Sequence, residues 1–147
     1  MITKQSHDND FDLKDKLASA EQHLKTVLDI LNGPNPNPQM TDQQWQSSKA
    51  SASAVVHNDL GLIALFRKTN DVAVQEFQTA VSLSTEPAYK ARLAHALQLA
   101  GKNDESIKNC DELLADAQLD KAIRDLVTVV RANAVKAGGK PAAPAAK

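Results

Sequence analysis

The chain has one cysteine, five aromatic side chains and no apolar run approaching the length of a membrane span. Each shortage excludes something. A lone Cys110 cannot close an internal disulfide, so the fold does not depend on an oxidising compartment. With so few aromatics, the core falls to Leu, Val, Ile and Ala, which suits closely packed helices better than a strand-rich sandwich. A membrane helix needs roughly eighteen consecutive apolar residues, and none occurs. The opening Met1-Ile2-Thr3-Lys4-Gln5-Ser6-His7-Asp8 has no apolar leader core either, so a soluble cytoplasmic protein is the expectation. Seventeen basic against eighteen acidic groups leave a formal charge of −1, which offers nucleic acid no electrostatic footprint.

Signatures of catalysis are missing as well. His7, His23, His57 and His95 lack metal-ligand spacing, and no Gly-rich phosphate loop or nucleophile elbow occurs. Asp8-Asn9-Asp10-Phe11-Asp12 opens like a calcium loop, but Leu13 stands where that loop needs glycine and Ser19 where it needs a bidentate Glu. An acidic helix N-terminus is the better account of it. The expectation is therefore no catalytic residue, no metal and no cofactor.

What is present is helical periodicity, in a chain of 147 residues that fits one domain. Residues 1–10 are polar and read as a flexible N-terminus. In 11–32, Leu13, Leu17, Ala20, Leu24, Val27 and Leu31 recur at steps of four and three, one stripe of an amphipathic helix. Asn32-Gly33-Pro34 stops it, and the Pro/Asn linker 33–41 follows, stiffened by alternating prolines. Thr41-Asp42-Gln43-Gln44 reads as a capping box opening a helix over about 42–67, although the serine-rich stretch 46–53 is weak in propensity. Further helices are expected to end near Leu83 and to run over about 88–100, 105–116 and 120–136. The Ala/Pro/Lys tail 137–147 reads as disordered.

Inside 42–136 a pattern occurs twice. Leu60-Gly61, Ala73, Phe77 and Ala80 are followed by Leu93-Ala94, Ser106, Cys110 and Leu113, and 93−60, 106−73, 110−77 and 113−80 all equal 33. Small residues at Gly61/Ala94 and Ala73/Ser106 allow two helices to approach closely, and Phe77 and Cys110 fill the space between neighbouring hairpins. A second lag is weaker. Ala20, Leu24, Val27, Ile30 and Pro34 lie 53 residues before Ala73, Phe77, Ala80, Leu83 and Pro87 (73−20 = 53). Either the first helix belongs to a degenerate repeat, or two amphipathic helices match by accident. The missing helix before it favours accident.

The 33-residue pattern resembles the tetratricopeptide repeat, whose unit is a pair of antiparallel helices, A and B. The resemblance covers two repeats, about 55–85 and 88–119, with the helix at 120–136 as a capping helix. His57 and Ala64 stand where the family often has Trp and Tyr, and Lys90 and Leu97 stand at the same places in the second repeat. It implies an all-α fold, a right-handed stack of antiparallel helical hairpins (an α-solenoid) with an extra N-terminal helix.

It also implies a non-catalytic scaffold or adaptor that holds a peptide segment of another protein on the concave face of its A helices. Carried over position by position, with a 33-residue step into the last helix, that face includes Asn58, Leu62, His95, Gln98, Lys121, Arg124 and Arg131. Its basic end suits a partner with an acidic or C-terminal carboxylate segment. The family's clamp of that kind uses a Lys and Asn pair where this chain has Asn58 and Leu62. Two other readings stay open. One is a structural assembly protein, a homo-oligomer self-associating through 11–32, where the step rhythm is that of a coiled coil. The other is a small chaperone of the same family that shields segments of a secreted or assembling client.

Overall fold

The computed structural model describes the backbone of residues 3–141 and the side chains of residues 12–141. It is all-α, with no strand among the described residues. Six helices follow in order: α1 Thr3–Leu31, α2 Asp42–Phe66, α3 Asn70–Leu83, α4 Pro87–Leu99, α5 Asn103–Leu114 and α6 Lys121–Lys136. Each packs on its neighbour in sequence, and α4 also packs on α6.

Local chemistry fixes most of the boundaries. Thr41 caps α2 in the reciprocal manner the sequence suggested: its hydroxyl accepts from the Gln44 amide at 3.2 Å, and Gln44 Oε1 accepts from the Thr41 amide at 2.9 Å. Pro87 occupies the first position of α4, where its missing N–H costs nothing. Asp120 caps α6, accepting from the amides of Ala122 and Ile123. In the linker, Asn35 Nδ2 donates to the Met40 carbonyl at 2.8 Å and folds the Pro/Asn stretch back on itself. The backbone of α1 is helical from Thr3, within the segment read as a flexible N-terminus. α2 runs unbroken through its serine-rich stretch, because Ser53 and Ala54 are buried there and tertiary packing outweighs weak propensity.

The two A-to-B turns are alike. Thr69 N donates to the Ala64 carbonyl at 2.9 Å and Lys102 N to the Leu97 carbonyl at 2.8 Å, the same bond 33 residues apart (97−64). Both turns pass through a left-handed residue, Gly101 at φ 77° and Lys68 at φ 61°. After α6 the chain turns at Gly138 and lays Gly139 against α5, where a Cβ would stand 2.7 Å from Asn103 Cβ and Ile107 Cδ1. Lys140 N then donates to Asp104 Oδ1 at 2.7 Å. The start of the tail therefore has a defined course, and 142–147 lie outside the described residues.

Arg92 of α4 also donates to Asn58 of α2, and clefts lie between α3 and the α1–α2 pair and between α3, α4 and α5. One cluster joins Ala64, Ala73, Val74, Phe77, Leu93, Ala96 and Leu97, and the other joins Ala91, Ala94, Cys110, Leu113, Leu119, Val127 and Val130. Six of the repeated positions, Ala73, Phe77, Ala80, Ala94, Ser106 and Cys110, are at 0% exposure.

Candidate protein-binding face

The start-to-start spacing from α4 to α6 is 34 residues, not 33. The first residues of α4 and α6 are Pro87 and Lys121, and their caps are Glu86 and Asp120 (121−87 = 120−86 = 34). Burial follows the same step. Leu93, Ala96 and Ala100 of the second hairpin correspond to Val127, Val130 and Ala134, all packed inside. A 33-residue step would instead have buried Leu126 and Val129, which are 41% and 58% exposed. One residue turns a helix by about 100°, so the slip exchanges one face of α6 for another.

That rotation decides where the basic residues go. Arg124 points at α5, donating to the Asp116 carbonyl at 2.6 Å and the Leu114 carbonyl at 3.4 Å, which caps the end of that helix. Arg131 Nε donates to Asp111 Oδ1 of α5 at 2.5 Å. Lys121 is exposed and pairs with Asp125 one turn along α6 at 2.6 Å. The three basic side chains therefore do not converge with Asn58, Leu62, His95 and Gln98. Asn58 itself is buried: its Oδ1 accepts from Arg92 Nη1 at 2.5 Å, while its Nδ2 donates to Asp59 Oδ1 at 3.0 Å.

Val55, Asp59, Leu62 and Phe66 lie on one side of α2. Thirty-three further on, Ala88, Arg92, His95 and Leu99 lie on one side of α4, and thirty-four beyond those, Ala122, Leu126, Val129 and Asn133 lie on one side of α6. Steps of four, three and four put each set on one side of its helix. Leu62 is 40% and Phe66 59% exposed. Among the described residues twelve large apolar side chains are exposed, and Val55, Leu62, Phe66, Leu99, Leu126 and Val129 make up half of them. Burial holds the half-covered His95 imidazole below its ordinary pKa, so it too is neutral at neutral pH. The polar content of the face is concentrated in the Asn58–Asp59–Arg92 knot across α2 and α4. Sequence reasoning named Leu62 and His95 on these sides and did not name Leu126 and Val129. Reading Asp120 as the capping residue would have found them.

Cys110 is buried beside Ser106, and burial pushes its thiol up from the ordinary range, which favours the unreactive form. Ser106 donates to the Ala94 carbonyl at 2.7 Å, a packing bond between the two helices of one hairpin. No cluster of three potential metal ligands occurs among the described residues, and no described helix is long and apolar enough to cross a membrane. Comparison with protein-family models, with curated proteins and with solved structures gave no match to this chain.

Proposed function

We propose that the chain is a small tetratricopeptide-like scaffold that binds an apolar segment of another protein across α2, α4 and α6, with no catalysis of its own. The observation that carries this reading is the exposure of Val55 and Leu62 on one side of α2, Leu99 on α4, and Leu126 and Val129 on one side of α6. Exposed apolar surface of this kind marks interaction sites in soluble domains. The ligand that fits is an amphipathic helix or extended segment presenting aliphatic or aromatic side chains. Arg92 and Asp59 supply one polar anchor at mid-face. Arg124 and Arg131 are engaged by α5 and Lys121 by Asp125, so an acidic ligand end has little to meet at these three groups.

The test is selection of peptides from a random display library on the full chain, followed by titration of the enriched peptides. Apolar, amphipathic sequences are expected, with affinity falling at least about tenfold, or 1.4 kcal/mol, in a Leu62→Asp/Val129→Asp variant. Both positions are exposed, so the fold should survive. Absence of enriched peptides, or undiminished binding to the double variant, would overturn the reading.

A further inference from the structure

The end of α2 departs from its counterpart in the next hairpin. Phe66, Arg67 and Lys68 stand where α4 and its turn have Leu99, Ala100 and Gly101 (99−66 = 100−67 = 101−68 = 33). Packing asks for none of the three. Phe66 is 59% exposed, Arg67 and Lys68 are exposed too, and the equivalent turn closes with the same hydrogen bond around Gly101. Lys68 also holds a left-handed backbone, φ 61°, that costs a lysine more than a glycine. A strained residue kept where packing does not need it points to a use for its side chain.

These residues form one wall of a cleft of about 510 Å³, and Leu13, Lys14 and Leu17 of α1 form the other. Three of the lining side chains are apolar and three are cationic. No carboxylate lines the cleft among the described residues. Glu21 accepts from Arg67 Nη1 at 2.5 Å, but it also accepts from Lys25 at 2.7 Å, so one negative charge is divided between two positive ones. Lys68 takes part in no ion pair among the described residues.

The cleft at the other turn has the opposite character. Gly101, Lys102 and Asn103 line it with Asp104, Glu105 and the start of the tail, so it holds two carboxylates and no large apolar side chain. The apolar and cationic lining therefore belongs to the first turn and is not a by-product of the repeat.

We propose that the cleft between α1 and α2 binds a fatty acid, a single aliphatic chain ending in a carboxylate. Its volume is that of a small-ligand site. The chain lies on Leu13, Leu17 and Phe66, and the carboxylate meets Lys68, Lys14 and the part of the Arg67 charge that Glu21 leaves unanswered. Three apolar side chains can cover one chain but not two, which favours a free acid over a bilayer lipid. A peptide with the same end groups would bring backbone amides onto apolar side chains that have no hydrogen bond to offer them.

Titration of the full chain with octanoate, decanoate and dodecanoate below their micellar concentrations tests this, read by calorimetry and by the methyl resonances of Leu13 and Leu17. Both sets of methyls should shift, and affinity should rise about tenfold from octanoate to dodecanoate as further methylenes partly leave water. Dodecyl maltoside, which has the chain without the charge, should bind about fivefold more weakly than dodecanoate. Lys68→Gly keeps the turn and should weaken dodecanoate by about the same fivefold factor, with a melting temperature no lower than wild type. Phe66→Ser should weaken it by about tenfold, and if that variant melts early, Lys68→Gly decides. The Leu62→Asp/Val129→Asp variant should bind dodecanoate like wild type, so this site and the peptide-binding reading stand or fall separately. No binding of dodecanoate, equal affinity for the three acids, or undiminished binding by Lys68→Gly would overturn the proposal. So would binding to phosphatidylserine vesicles without binding of the free acid.

Discussion

Phe77 fills the space that Gly61 leaves open. A Cβ built on Gly61 would lie 2.6 Å from Phe77 Cε1, with Cδ1 and Cζ also inside 3 Å. In the second hairpin the same two positions hold Ala94 and Cys110, a larger residue facing a smaller one, and both pairs are fully buried or nearly so. The two hairpins thus fill equivalent positions differently, one with the most uneven pair of side chains and the other with two small ones.

This compensation is measurable. Phe77→Ala should destabilise by about 3–5 kcal/mol, because it leaves a cavity beside a glycine that cannot fill it. Gly61→Ala alone should also destabilise, by about 1–3 kcal/mol, because the ring must shift. Combined with Phe77→Leu, the extra methyl of Gly61→Ala should cost less than it does alone, a coupling that chemical denaturation of the four proteins in the cycle will read. Additive costs would show that the two residues do not share the space.

Lys68 turns the chain in a left-handed conformation at φ 61°, where the second hairpin uses Gly101 at φ 77°. The side chain is exposed, so what it contributes there is mainly backbone strain. Lys68→Gly should raise stability by about 1 kcal/mol and lift the melting temperature by a few degrees. An unchanged or lower melting temperature would show that the turn tolerates lysine without strain.

Arg124 and Arg131 serve the packing of α6 on α5. Arg124→Met removes the cap on the Leu114 and Asp116 carbonyls and should cost about 1–2 kcal/mol in thermal or denaturant unfolding. Arg131→Met loosens the bond to Asp111 and should cost less, since both groups are partly exposed. Neither change should alter the affinity of a selected peptide once the protein is folded. A fall in affinity without a fall in stability would return these arginines to the binding face.

Much of the fold was legible. Thr41 with Gln44, Asn32-Gly33-Pro34 and Pro87 are local signals, and their hydrogen bonds or steric limits lie within a few residues of chain. The apolar period of 11–32 and 120–136 foretold helices for the same reason. Of the candidate face, the 33-residue spacing of Leu62 and His95 was legible. The engagement of Arg124 and Arg131 by α5 was not, because α5 with its connection to α6 is one residue longer than α3 with its connection to α4 (121−103 = 18, 87−70 = 17), and a helical face is lost in a third of a turn.

The two echoes differ in what they needed. The 33-residue step was fixed by the sequence, since small residues at Gly61, Ala73, Ala94 and Ser106 admit only close helix packing. The 53-residue step was ambiguous there, because any amphipathic helix repeats at three and four. The structure adds that Glu21 and Lys25 line a cleft with Leu60, Ala64 and Arg67 of α2, as Gln78 lines one with Leu93 and Leu97 of α4. Periodicity determines that a residue lies on a stripe. Only packing determines which neighbour covers the stripe, and so which of Arg131, Val129 and Val27 is left facing outward.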